Sequence, residues 1–213
     1  MKGLALNYLK NPLVTPSPLE KHFLREMAEI AKDCYYRGWA PATSGNFSVH
    51  LRENLVWQSP SGVCKGRLKL SSFIPISLDR QATWGVSLGK PSEEMLVHLG
   101  IFNQQKDAKC VVHAHPPHFV KLSQGKTELN FNGYEIQKAV GSSKFSDHLT
   151  FKVAPNQTRE SLAEFCRSQL EGYLHEDAKL VVFEGHGIYA WADSPLKALQ
   201  RIEALESLCT GMN

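Results

Sequence analysis

The sequence predicts a layered α/β domain, with helices covering a sheet, and three observations carry that prediction. Segments with apolar residues at helical spacing alternate along the chain with short β-branched runs. Turns rich in Gly, Pro, Ser and Asn separate them, without internal repeats or low-complexity tracts. At 213 residues the chain is long enough to bury one sizeable core.

The elements follow in order. Residues 1–18 form a lead-in carrying Pro12, Pro16 and Pro18, and a single domain is expected over 19–213. Leu19 to Arg37 sets Phe23, Met27, Ile30, Ala31 and Cys34 at helical spacing, with Gly38 placed as a C-terminal cap. The turn Pro41-Ala42-Thr43-Ser44-Gly45 leads into strands Asn46 to Leu51 and Leu55 to Gln58. Ser59-Pro60-Ser61-Gly62 is a second turn, and Phe73 to Leu78 is a short strand. A helix is expected from Pro91-Ser92 to about Phe102, with Glu93 and Glu94 in its first turn, where the helix dipole favours anions. A buried strand at Lys109 to Val112 precedes a short helix near Phe119. A polar stretch then runs to Glu135, where another helix begins. Strand Leu149 to Val153, helix Arg159 to Leu170, strands Leu180 to Phe183 and Ile188 to Trp191, and a closing helix from Pro195 to Leu208 complete the chain.

The most informative motif is Val111-Val112-His113-Ala114-His115-Pro116. Side chains alternate faces along a strand, so His113 and His115 project the same way, one pleat apart. Pro116 cannot donate to a sheet ladder, so the strand ends there and presents both imidazoles. Imidazole suits zinc and its neighbours, and a catalytic zinc takes three protein ligands with one position open. The candidate third ligand is His186, held between Gly185 and Gly187, which let backbone approach a ligand closely. The other histidines read as structural or surface: His22 and His175 at helix surfaces, His50 in a strand, His98 hydrogen-bonded four residues after Glu94, and His118 and His148 without a supporting pattern.

Composition bounds the function. Hydrophobic residues make up 42% of the chain and charged ones 21%, which excludes a disordered or fibrous class. A net charge of +3, evenly spread, argues against nucleic acid as the main partner. No run approaches a membrane span, and the start, Met1 to Leu6, lacks the pattern of a secretory signal. Five cysteines (Cys34, Cys64, Cys110, Cys166, Cys209), odd in number and without CxxC spacing, indicate reduced thiols and a cytoplasmic setting.

Thr43-Ser44-Gly45-Asn46 and Ser59-Pro60-Ser61-Gly62, with Lys65 just beyond, offer hydroxyls, backbone N–H groups and a cation that could cradle a phosphate. They do not match the P-loop spacing. Alone they are turns; beside three metal-ligating histidines, the phosphate reading gains weight.

Together, Gly45-Asn46-Phe47-Ser48, Ser59-Pro60-Ser61-Gly62, Ser92-Glu93-Glu94, His113-Ala114-His115-Pro116 and Gly185-His186-Gly187 occur in the order seen in the class II aldolase/adducin family, which the chain resembles from about residue 20 to 210. Within it, the chain is most similar to the methylthioribulose-1-phosphate dehydratase branch. The marks are Gly38 to Asn46, Gly133-Tyr134-Glu135-Ile136-Gln137-Lys138 and Gly187-Ile188-Tyr189-Ala190-Trp191.

The resemblance implies a three-layer α/β/α fold around a mostly antiparallel or mixed sheet, assembled as a homotetramer. It implies one zinc per subunit on His113, His115 and His186. It also implies a phosphate site from Ser44, Gly45, Asn46, Ser61, Gly62 and Ser92, with Lys65 and Lys138 as nearby cations. The implied activity is dehydration of 5-methylthioribulose 1-phosphate to 2,3-diketo-5-methylthiopentyl 1-phosphate in methionine salvage. Glu135 is the expected acid/base. Glu94, at the aldolases' catalytic glutamate position, ranks second, with dipole compensation as its structural role. The alternatives are a sugar-phosphate aldolase or epimerase and a non-catalytic adducin-like interaction domain, the latter requiring loss of the metal ligands. Glu93 departs from the family's pattern and is expected to face solvent; Cys64, where an acid is common, reads as incidental.

Overall fold

The computed structural model describes residues 14–79, 89–141, 144 and 147–212. The lead-in before residue 14, Pro12 included, lies outside them. The first helix, α1 (Pro18–Tyr36), begins with a reciprocal cap: the Ser17 hydroxyl accepts from the Glu20 backbone N–H, and the Glu20 carboxylate accepts from the Ser17 N–H. Gly38 follows it with φ of +74°, the left-handed turn expected past a helix end.

Eight strands, β1 (Asn46–Arg52), β2 (Leu55–Gln58), β3 (Ile74–Ser77), β4 (Cys110–Ala114), β5 (Glu128–Phe131), β6 (Leu149–Ala154), β7 (Leu180–Phe183) and β8 (Gly187–Ala192), form one sheet in the order β3-β2-β1-β4-β8-β7-β6-β5. Every neighbouring pair is antiparallel except β6–β7, so the sheet is mixed, as expected. Alternation along the strands splits the core into two apolar layers. Phe47, Val49, Val112 and Ala190 face α1, α3 (Pro117–Ser123) and α5 (Pro195–Thr210). Val56, Val111, Val181, Tyr189 and Trp191 face α2 (Met95–Gln104) and α4 (Arg159–Ser168). This is the expected α/β/α arrangement.

Local departures have local causes. Helix α2 starts at Met95 rather than at Pro91, because Pro91 is drawn into an isolated bridge with Pro60 and Glu94 occupies the cap position. The predicted helix to Leu170 stops at Ser168, and residues 170–173 tighten into a 3-10 turn. The polar stretch before Glu135 hides β5, a four-residue edge strand whose Leu129 and Phe131 point inward while Glu128 and Asn130 face out. His175 is not on a helix: it bridges to Leu180 and lies against Phe151. Among the described residues, no helix is long and apolar enough to cross a membrane.

Candidate metal centre

Strands β1, β4 and β8 lie side by side, and their register aligns Asn46 with His113 and His113 with Tyr189. The His113 ring stacks on Tyr189, with centroids 3.8 Å apart and planes within 7°. His115 leaves the strand end, its backbone N–H donating to Trp39 O. The turn between β7 and β8 carries His186. A Cβ on Gly187 would stand 2.5 Å from Ala114 O and 2.7 Å from His115 Cδ2, so only glycine lets this turn close onto the histidines. Gly45, with φ of +76°, brings a second turn against the His113 carbonyl in the same way.

The three imidazoles converge as the sequence predicts. One ring nitrogen from each of His113, His115 and His186 lies within 4.8 Å of the others, and the Nε2 atoms of His113 and His115 approach to 2.9 Å. His113 Nδ1 is 3.0 Å from Ile188 O. A carbonyl accepts only from N–H, so that nitrogen carries the proton and Nε2 keeps its lone pair for a ligand. Burial, reinforced by neighbouring imidazoles, pushes His113 well below the ordinary histidine range and His115 down to about 4. Both rings are therefore neutral at pH 7, the form that binds a metal. The donor set fits a divalent ion of the zinc type: three imidazoles with an open side toward Glu94.

Glu94 is the carboxylate in this site. Its Oε1 lies 3.0 Å from His186 Nε2, its Oε2 lies 3.8 Å from His113 Nε2, and Oε2 also accepts from Asn46 Nδ2. Burial opposes charge here, but His113 and His186 outweigh it and hold the carboxyl below its usual range. The cap position reflects this use: the Glu94 side chain does not cap α2 but turns to the imidazoles.

Of the anticipated phosphate residues, Asn46 and Ser92 bond Glu94, while others bond backbone nearby in the chain or across the two turns. The Ser92 hydroxyl accepts from the Glu94 N–H, Ser61 N–H donates to Lys90 O, and Lys65 Nζ bonds Thr43 O at 2.8 Å and Val63 O at 3.0 Å. Ser44, Gly45 and Asn46 follow Thr43, while Ser61 and Gly62 precede Val63 and remain exposed.

Glu135 and Lys138 lie elsewhere. They pair with each other at 2.5 Å on a 3-10 turn, 135–140, packed against α5, and Glu135 has no hydrogen bond or ion pair to the histidines. Its side chain is 71% exposed, against 29% for Glu94. Within one chain, Glu94 and not Glu135 lies beside the imidazoles. Glu93 faces outward as expected, but pairs with Arg159 at the start of α4. Cys64 is half-buried.

Sequence reading missed three supports. His98 is fully buried, and its Nδ1 meets Ser48 Oγ at 2.6 Å, not Glu94. Glu206, on α5, accepts from the backbone N–H groups of His118 and Phe119, pinning the helix that follows His115. Lys121, Gln124 and Asn156 join His115 and His186 around an open cleft of about 460 Å³. Only a tertiary contact signals these; Glu206 lies 88 residues from its partner.

Known proteins share both the fold and the sequence. A Methylthioribulose-1-phosphate dehydratase of Methylococcus capsulatus is 33% identical over 186 residues, covering 86% of this chain and 89% of that protein. One from Xanthomonas euvesicatoria is 29% identical, covering 93% of each. The crystal structure of l-fuculose-1-phosphate aldolase from Thermus thermophilus superposes with a TM-score of 0.68 at 23% identity, over 91% of this chain and 93% of that one. Residues 25–212 match the model of the Class II Aldolase and Adducin N-terminal domain, a span that includes the three histidines, Glu94 and the turns around them. The chain thus belongs to the class II aldolase and adducin family, and its histidine cluster is a candidate divalent-metal centre in that fold.

Proposed function

We propose that this protein is a zinc-dependent hydro-lyase that dehydrates 5-methylthioribulose 1-phosphate to 2,3-diketo-5-methylthiopentyl 1-phosphate. The observation that carries the reading is a carboxylate, Glu94, held among three convergent imidazoles. The dehydratases at about 30% identity supply the substrate. Retention of all three histidines disfavours a non-catalytic scaffold.

Zinc on His113, His115 and His186 would supply a Lewis acid to the ketose oxygens, acidifying the C3 proton beside the C2 carbonyl. The protein's part is to place and move protons. Asn46 binds Oε2 of Glu94, and Oε1, which lies 3.0 Å from His186 Nε2, would exchange a proton with the substrate once that nitrogen is given to zinc. Removal of the C3 proton and departure of the C4 hydroxyl as water leaves an enol that tautomerises to the diketone. The turns carrying Ser44, Gly45, Asn46, Ser61, Gly62 and Ser92 would hold the phosphate through hydroxyls and backbone N–H groups.

Glu135 has a place in this scheme only if another copy of the chain presents it. Its exposure, and the groove of about 580 Å³ that Ile136 and Ala139 share with Lys197, Gln200, Arg201 and Glu203 of α5, favour an outward role in the homotetramer that the family resemblance implies.

The decisive assay incubates zinc-loaded protein with methylthioribulose 1-phosphate and follows the diketone, and in parallel supplies fuculose 1-phosphate and follows dihydroxyacetone phosphate. Diketone formation is expected. Dihydroxyacetone phosphate release without diketone would make the protein an aldolase instead. The dephosphorylated sugar should turn over poorly, because binding energy from a remote group orients the reacting centre.

A further inference from the structure

Three residues of β1, Asn46, Ser48 and His50, alternate onto the sheet face that α2 covers, and each meets a residue of that helix. Asn46 Nδ2 bonds the Glu94 carboxylate, Ser48 Oγ lies 2.6 Å from His98 Nδ1, and the His50 ring lies against Phe102 with centroids 5.0 Å apart. The strand steps by two residues, while α2, counted from Glu94 at its cap, steps by four. Two strand residues rise about 6.6 Å and four helical residues about 6 Å, so the rungs stay in step when α2 runs alongside β1 in this register.

The middle rung is fully buried at both ends. The apolar packing around it, Met95 and Leu99 included, is non-directional and does not by itself choose a register. His98 Nε2 is also buried, with no hydrogen-bond partner among the described residues. An imidazole in that state costs more than an apolar side chain would, so packing alone does not account for it. What the ring supplies is its bond to Ser48. It also lies edge-on to Tyr189, centroids 5.5 Å apart, and Tyr189 in turn stacks on His113.

We propose that His98 is the positioning residue of Glu94: its bond to Ser48 locks α2 in register along β1, one helical turn beyond the carboxylate, and so holds Glu94 against Asn46 and the imidazoles. This rests on the reading of Glu94 as the group that exchanges a proton with substrate. His98 acts through the helix, not on the substrate.

The test compares zinc-loaded Ser48→Ala, His98→Leu and His98→Asn with the unaltered protein. Ser48→Ala deletes one hydroxyl and disturbs the fold least; His98→Asn puts an amide where Nδ1 stood. Ser48→Ala and His98→Leu should each lower kcat about tenfold, the scale of one hydrogen bond, with zinc content and KM little changed. His98→Asn should retain most of the rate. Added to Glu94→Gln, Ser48→Ala should cause no further loss, because the bond acts through that carboxylate. A crystal structure of zinc-loaded Ser48→Ala should show the Asn46–Glu94 contact opened. An unchanged kcat in Ser48→Ala would overturn the proposal, as would the same tenfold loss with and without Glu94→Gln, which would mark a general structural role. An intact Asn46–Glu94 contact in that crystal would overturn it too. If Glu94→Gln by itself leaves diketone formation unimpaired, the reading of Glu94 falls instead, and the crystal contact alone decides whether His98 sets the register.

Discussion

Two segments of this chain each pair a glutamate with basic neighbours, and folding gives them opposite fates. Ser92-Glu93-Glu94 precedes α2 at the middle of the sheet, where Glu94 is three-tenths exposed and meets His113, His186 and Asn46. Gly133 to Lys138 forms an outer turn. There Tyr134 and Gln137 anchor the backbone, through Tyr134 Oη to Gly211 O and Gln137 Nε2 to Asp147 O, leaving Glu135 and Lys138 to pair with each other outside. In a 3-10 turn positions i and i+3 share a face, so anchoring one pair turns the other outward. The lesson concerns solvent. The same carboxyl is a surface charge when water screens it, and a site group when imidazoles replace the water.

The largest effect that would break this contrast is loss of the centre itself. His186→Ala should reduce zinc from one per chain to a small fraction and abolish diketone formation, measured by metal analysis and product assay, while Glu135→Ala keeps its zinc. Full zinc in the His186 variant would remove the triad from the mechanism. Next, Glu94→Gln should lower kcat by on the order of 10²–10⁴-fold with zinc retained, because an amide of nearly the same shape cannot exchange a proton. Glu135→Gln should cost less. A loss as large as that of Glu94→Gln would show that a neighbouring copy delivers Glu135 to the site.

Smaller effects sharpen the contrast through stability. His98 is buried, and burial lowers its pKa to about 3, against 6.5 unfolded. Below pH 6.5 the unfolded chain binds a proton that the folded one refuses, so stability falls as pH drops from 6.5 toward 3. One such group contributes a slope of up to about 1.4 kcal/mol per pH unit. Zinc-free protein adds His113 and His115 with the same sign. Urea unfolding between pH 7 and pH 5 should show this decline, and His98→Gln should flatten it by one proton. The smallest expected effect is on the outer turn. Breaking the exposed Glu135–Lys138 pair with Glu135→Gln should change the unfolding free energy by less than about 1 kcal/mol in the same titration.

Much of this was legible in the residues. The alternation around Val111-Val112-His113 and the proline after His115 placed two imidazoles together, because a strand's period of two is a local property. The glycines beside His186 foretold the close approach that the structure shows at Gly187. Strand β5 was not legible, since four residues at a sheet edge give too short a pattern to rise above polar surroundings. The start of α2 was misplaced because the apolar pattern does not reveal that Pro91 bridges to Pro60.

The sequence by itself determined the layered α/β class, the element order apart from β5, and the histidine set, all of which follow from short-range periodicity and residue chemistry. Only the tertiary structure decided which glutamate meets the imidazoles, that Lys65 is buried between two turns, and that Glu206 pins the helix after His115. Those outcomes depend on partners as many as 88 residues apart and on water being excluded between them, and neither is written in any local run of the chain.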